Sequence, residues 1–176
     1  MFFIFGRLFG FILFGVFRLC FLVLSAIFRM LIPMNRSEDS GNAVLLYVVD
    51  GDTVKVRLGG KEESVRLLGI DAPESRENEK LYRQSRLLGI SPSRTLELGK
   101  MSSAALKSIV KSGERLSLEF DEYRRDKFGR LLAYVWKGDV LVNEKMVILG
   151  YAAPCFFGRN RKYEKRIRRA YSAATM

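Results

Sequence analysis

Val65-Arg66-Leu67-Leu68-Gly69-Ile70-Asp71-Ala72-Pro73-Glu74 is the stretch that decides how this chain reads. Apolar Val65, Leu67 and Ile70 mark a strand in which Arg66 is the one charge. Pro73 fixes its own φ and pushes Ala72 toward extended backbone, so the strand stops there. Asp71, Glu74 and Arg66 are therefore expected on or beside one rigid strand end.

Upstream, V-V-D-G-D-T-V-K-V (Val48 to Val56) puts Asp50 and Asp52 in a tight turn between two β-rich runs. Downstream, D-K-F-G-R-L-L-A-Y (Asp126 to Tyr134) places Arg130 at the start of another strand. Carboxylates suit a hard cation, and guanidinium forks suit a phosphate. The three stretches together form a phosphodiesterase constellation.

The rest of the domain reads around them. Val44 to Val49 and the alternating Thr53 to Leu58 are strands, and Gly59-Gly60 signals the hairpin into a third, Glu62 to Leu68. Ser75 to Leu96 shows no clean period and reads as a long polar loop, either a basic flap beside the site or a solvated insertion. Glu97 to Ser112 carries a helical stripe stopped by Gly113. Glu114 to Phe120 and Arg130 to Trp136 are a fourth and fifth strand, and Leu141 to Leu149 a short helix. The very basic Asn160 to Ala174 is a terminal helix. Five short strands and about three helices predict an α+β domain built on a five-stranded OB-fold barrel.

Net charge is +11, which favours a polyanion partner, either nucleic acid or anionic lipid. There is no histidine, which excludes imidazole-based nuclease chemistry, histidine triads and most zinc enzymes. Two cysteines, Cys20 and Cys155, are too few for a structural zinc site and read as small apolar fillers.

Residues 1–33 are almost wholly Phe, Leu, Ile, Val and Gly, long enough for a transmembrane anchor. Arg7, Arg18 and Arg29 recur every eleven residues and so lie on nearly one helical face. An uncleaved signal-like segment, a cleaved signal peptide and an interfacial helix are the alternatives. Residues 34–43 read as a polar linker, and the domain as 44–176.

The motifs D-G-D-T, R-L-x-G-I-D-A-P-E, D-K-x-G-R-x-L-A-Y and V-N-E-x-x-V-x-x-G-Y-A follow one another at spacing that resembles the staphylococcal nuclease (thermonuclease) family. The resemblance covers roughly three quarters of the chain and implies a calcium-dependent nuclease of DNA and RNA with low sequence specificity, and the abundance of that ion outside the cytoplasm leans the expected placement of the domain toward an extracytoplasmic side. It implies that Asp52, Asp71 and the Ala72 carbonyl bind the ion, and that Glu74 is the general base. Arg66 and Arg130 are the implied phosphate-contacting arginines, with Asp50 and Asp126 near the metal. Phe128 stands where a tyrosine is common, and Phe156 and Phe157 fall in a region where relatives can carry nucleotide-packing tyrosines. Phe128 and Phe156 are thus expected substrate contacts without hydroxyl bonds. The sequence also stops at Met176 without the family's usual terminal tryptophan segment. The alternative is a non-catalytic OB module, tethered to a membrane, that binds nucleic acid or protein.

Overall fold

The computed structural model describes residues 40–175, all within one unit of the chain, Ser37–Met176. In order they form β1 (Ser40–Asp50), β2 (Thr53–Leu58), β3 (Lys61–Leu67), β4 (Ile70–Asp71), α1 (Glu79–Leu88) and α2 (Pro92–Ile109). Then come β5 (Arg115–Glu119), β6 (Leu131–Lys137), β7 (Val140–Leu141), α3 (Val142–Ile148), β8 (Ala153–Pro154) and α4 (Glu164–Ala174). The expected anchor over 1–33 and its arginine stripe lie outside the described residues. Among the described residues no helix is long and apolar enough to cross a membrane.

A curled sheet runs β3-β2-β1-β5-β6-β7, and a parallel pairing of β3 with β6 closes it into a five-stranded barrel. Closure removes the sheet edges. Gly59 and Gly60, both at positive φ, make the two-residue turn between Leu58 and Lys61. β1 begins at Ser40 and pairs Ser40 with Glu119, four residues before the strand start read from the sequence. Two register shifts, at Leu45/Tyr47 and Val48/Asp50, bend β1 around the barrel. Leu45, Val56, Val65, Leu67, Leu118 and Ala133 are fully buried in the core.

The expectation for Ser75 to Leu96 is corrected. Instead of a loop, the segment forms α1 and the first turns of α2, so the domain has four helices rather than about three. Local chemistry explains both helices. The Asn78 side chain accepts from the Leu81 N–H, and Gly89 at φ +66° stops α1. Ser91 caps α2 and Pro92 fills its first turn. Only Leu81 and Ser85 of α1 are buried, one turn apart, too narrow a stripe to show as a period among the arginines.

Buried Asn143 on α3 holds the barrel near the site. Its Oδ1 accepts from Val135 N–H at 2.8 Å, and its Nδ2 donates to the Leu68 carbonyl at 2.8 Å. Two residues on, β4 pairs with β8, Ile70 opposite Pro154 and Asp71 opposite Ala153. The segment after β3 is therefore gripped from both sides before it delivers Asp71 and Glu74.

Candidate active site

Asp52 precedes β2 at the end of the β2–β3 ladder, where Thr53 pairs with Arg66. Its carboxylate is buried and hydrogen-bonded: Oδ1 accepts from the Thr53 hydroxyl at 2.9 Å, and Oδ2 from the Ala72 N–H at 3.0 Å. The half-hidden Arg66 guanidinium reaches Asp52 Oδ2 at 2.5 Å and Asp71 Oδ1 at 2.7 Å, and so ties the two carboxylates together. A guanidinium fork fixes both contacts at once, which a lysine in its place would not.

Glu74 is buried beside them. Burial pushes its carboxyl up from the ordinary range, and a hydrogen bond and like charge from Asp50 push it further, while Lys80 opposes. Asp50 Oδ1 accepts from the Gly51 N–H at 2.7 Å and the Ser103 hydroxyl at 3.2 Å. Lys80 Nζ lies 3.4 Å from Asp71 and 3.6 Å from Glu74.

Three contributors escape a reading of the sequence. Gln84 on α1 accepts the Glu74 N–H at 2.8 Å and donates from one amide nitrogen to Asp71 Oδ2 at 3.1 Å and to the Ala72 carbonyl at 3.2 Å. One side chain thus connects three of the expected site residues. Lys80 comes from the same unpredicted helix. Gly99 on α2 lets that helix press on the loop, since a Cβ there would stand 2.1 Å from the Glu74 carbonyl oxygen. The only early signals for α1 were its caps, Asn78 and Gly89.

The structure brings Asp50, Asp52, Arg66, Asp71, Ala72 and Glu74 into one cluster. Arg130, Asp126 and Phe128 form a second group just before β6, whose Leu131 pairs with Val65 on the strand carrying Arg66. Arg130 Nε donates to Asp126 Oδ2 at 2.7 Å, and its guanidinium lies 5.5 Å from the exposed Phe128 ring. Burial tends to raise the Asp126 carboxyl, but its bonds from Arg130 and Phe128 hold it below the ordinary value. Phe156 sits elsewhere: its half-buried ring packs where a Cβ on Gly69 would come within 2.6 Å, under the Arg168 guanidinium.

The donor set suits a hard divalent cation. Among the described residues Asp50, Asp52, Asp71 and Glu74 gather round two cations, Arg66 and Lys80, so acidic groups outnumber basic ones in the cluster. All its acceptors are oxygens, as calcium prefers. No three described acidic or sulfur side chains gather closely enough to hold an ion alone. An ion held here would need oxygens besides the carboxylates, such as the Ala72 carbonyl and water.

A closed five-stranded barrel with an arginine-crossed acidic cluster at one ladder end has the architecture of an OB-type nuclease domain. A family model described as "Staphylococcal nuclease homologue" matches residues 64–176, so the chain belongs to the staphylococcal nuclease homologues. The chain is 33% identical over 131 residues to the thermonuclease of Staphylococcus hyicus, 74% of this chain and 69% of that one. It is 35% identical over 128 residues to the thermonuclease of Staphylococcus intermedius, 72% and 67% of the two chains. An endonuclease of Bacillus subtilis (strain 168) is 37% identical over 124 residues, 69% of this chain and 52% of that one. These relatives support a nuclease-type hydrolase.

Proposed function

We propose that this chain is a calcium-dependent endonuclease of DNA and RNA with low sequence specificity. The observation that carries this reading is the Arg66 bridge between buried Asp52 and half-exposed Asp71, with Glu74 beside it. When bound, calcium would polarise a phosphoryl oxygen and ease deprotonation of a nearby water. Asp52, Asp71 and the Ala72 carbonyl would hold it.

Glu74 accepts the proton of the attacking water at its carboxylate. Its raised proton affinity makes it a stronger base than an exposed glutamate. Arg66 and Arg130 hold the phosphate oxygens as negative charge builds on them. To do so Arg66 exchanges part of its hold on Asp52 and Asp71 for phosphate. Asp50 keeps Glu74 proton-hungry, and Asp126 presents Arg130. Exposed Phe128 offers a ring to the substrate without a hydroxyl bond.

The test is cleavage of single-stranded DNA by the full chain, purified in mild detergent, in calcium and in chelator. Cutting in calcium alone, leaving 5′-hydroxyl and 3′-phosphate ends, is the expected result. A folded chain that binds DNA but never cuts it would favour the non-catalytic binding module.

Residues 1–33 are further proposed to anchor the domain in a membrane, facing an extracytoplasmic side, on the strength of their apolar composition. A reporter fused after Met176 that is active only in the cytoplasm would overturn that placement.

A further inference from the structure

We propose that the exposed basic face of α1 is a track for single-stranded nucleic acid leaving the site, a proposal that rests on the nuclease reading and deepens it. Lys80, Arg83 and Arg86 recur every three residues along α1 and, with Tyr82, line one open concavity of 560 Å³. The three span about 9 Å of helix axis.

Lys80 joins this face to the site, because its ammonium touches both Asp71 and Glu74. Beyond it the positive charge is uncommitted. Among the described residues Arg76, Arg83 and Arg86 have no acidic partner, whereas Arg94, Arg125, Arg130, Arg166 and Arg168 are each paired. Of the nearby acids, Glu77 and Glu79 pair with none of these arginines and offset only part of their charge, Glu79 from the lining of the same concavity. Glu77 accepts the Tyr82 hydroxyl at 2.7 Å, and Glu79 sits in the first turn, where it favours the helix dipole.

Unpaired guanidiniums in a row are ready to exchange counterions for phosphates. The Tyr82 ring, 41% exposed, stands among them as a platform for a base. Stacking of that kind needs a base already out of a duplex, which is why the occupant is a single strand. Gln84, on the same helix, holds the loop of Asp71, Ala72 and Glu74. The helix that guides the strand therefore also grips the residues that cut it.

The test measures binding of a twelve-nucleotide single strand to the full chain in chelator, over a series of salt concentrations. It reads the surface whether or not the chain cuts. The double variant Arg83→Gln/Arg86→Gln is compared with Lys165→Gln/Arg169→Gln, a charge-matched pair lining the groove beside α4. The α1 pair is expected to weaken binding about tenfold and to lower the salt slope by about 1.4, the value for two lost phosphate contacts on a single strand. The α4 pair is expected to cost clearly less. Tyr82→Leu should weaken the single strand more than a duplex of the same length. An unchanged salt slope in the α1 pair, or an equal loss in the α4 pair, would overturn the proposal.

Discussion

Gln84 concentrates the site's dependence on a single side chain, because Asp71, the Ala72 carbonyl and the Glu74 amide all bond to it. A carboxylate oxygen has two lone-pair directions, so the amide can occupy one and leave the other for an ion. Such outer bonds orient ligands rather than bind metal themselves. We expect Gln84→Ala to weaken calcium binding by about tenfold or more, measured by calorimetry, while the barrel stays folded. The carboxylates and the arginine of the centre were legible in the sequence. Asp52, Asp71, Glu74 and Arg66 lie in two short motifs whose turns fix their backbone. Gln84, Lys80 and Ser103 were not legible, because they reach the centre from helices whose position depends on packing. Close approach is equally invisible: nothing around Gly99 announces that the Glu74 carbonyl will lie against it.

Elements whose hydrophobic period is clean were read nearly to their ends. β2 and α3 fall within a residue or so of expectation, and α4 begins at Glu164 rather than Asn160. α1 was missed because its buried stripe is only Leu81 and Ser85, set among the polar Glu79, Lys80, Arg83, Gln84 and Arg86. Most of its stability must then come from its caps and its packing on α2, where the Ser85 hydroxyl donates to Thr95 Oγ1 at 2.9 Å. Asn78→Ala removes the cap bond to the Leu81 N–H and should cost about 1 kcal/mol of stability. Hydrogen exchange would show faster amides across α1 with the barrel strands unchanged. Because Gln84 rides on this helix, the same variant should also lower calcium affinity.

At the scale of the whole molecule, Glu119 fastens the barrel to the C-terminal segment. Its buried carboxylate accepts from Trp136 Nε1 at 2.8 Å and from the Tyr163 hydroxyl at 2.9 Å, and pairs with Lys162 at 2.5 Å. Burial alone would raise its carboxyl, but Lys162, Tyr163 and Trp136 together hold it below the ordinary 4.5. A lowered folded value contributes stability that is complete above 4.5 and is lost as pH falls through the folded value. Thermal unfolding followed from neutral to acid pH should therefore show a fall in Tm below about 4.5 that is shallower in Glu119→Gln. The neutral-pH Tm of that variant should be lower than the parent's. The barrel was foreseeable from strand count and order, but the strand pair that closes it was not, since the parallel β3–β6 pairing joins residues far apart in the chain. That closure brings β3, which carries Arg66, beside the start of β6, which Arg130 immediately precedes, and with them the proposed phosphate site. The claim that this end of the barrel is a catalytic centre is tested most directly by the cleavage rate of full-chain Glu74→Gln in saturating calcium. A loss of about 10²- to 10⁴-fold is expected, with calcium and DNA binding retained. Cleavage at the parent rate would contradict it.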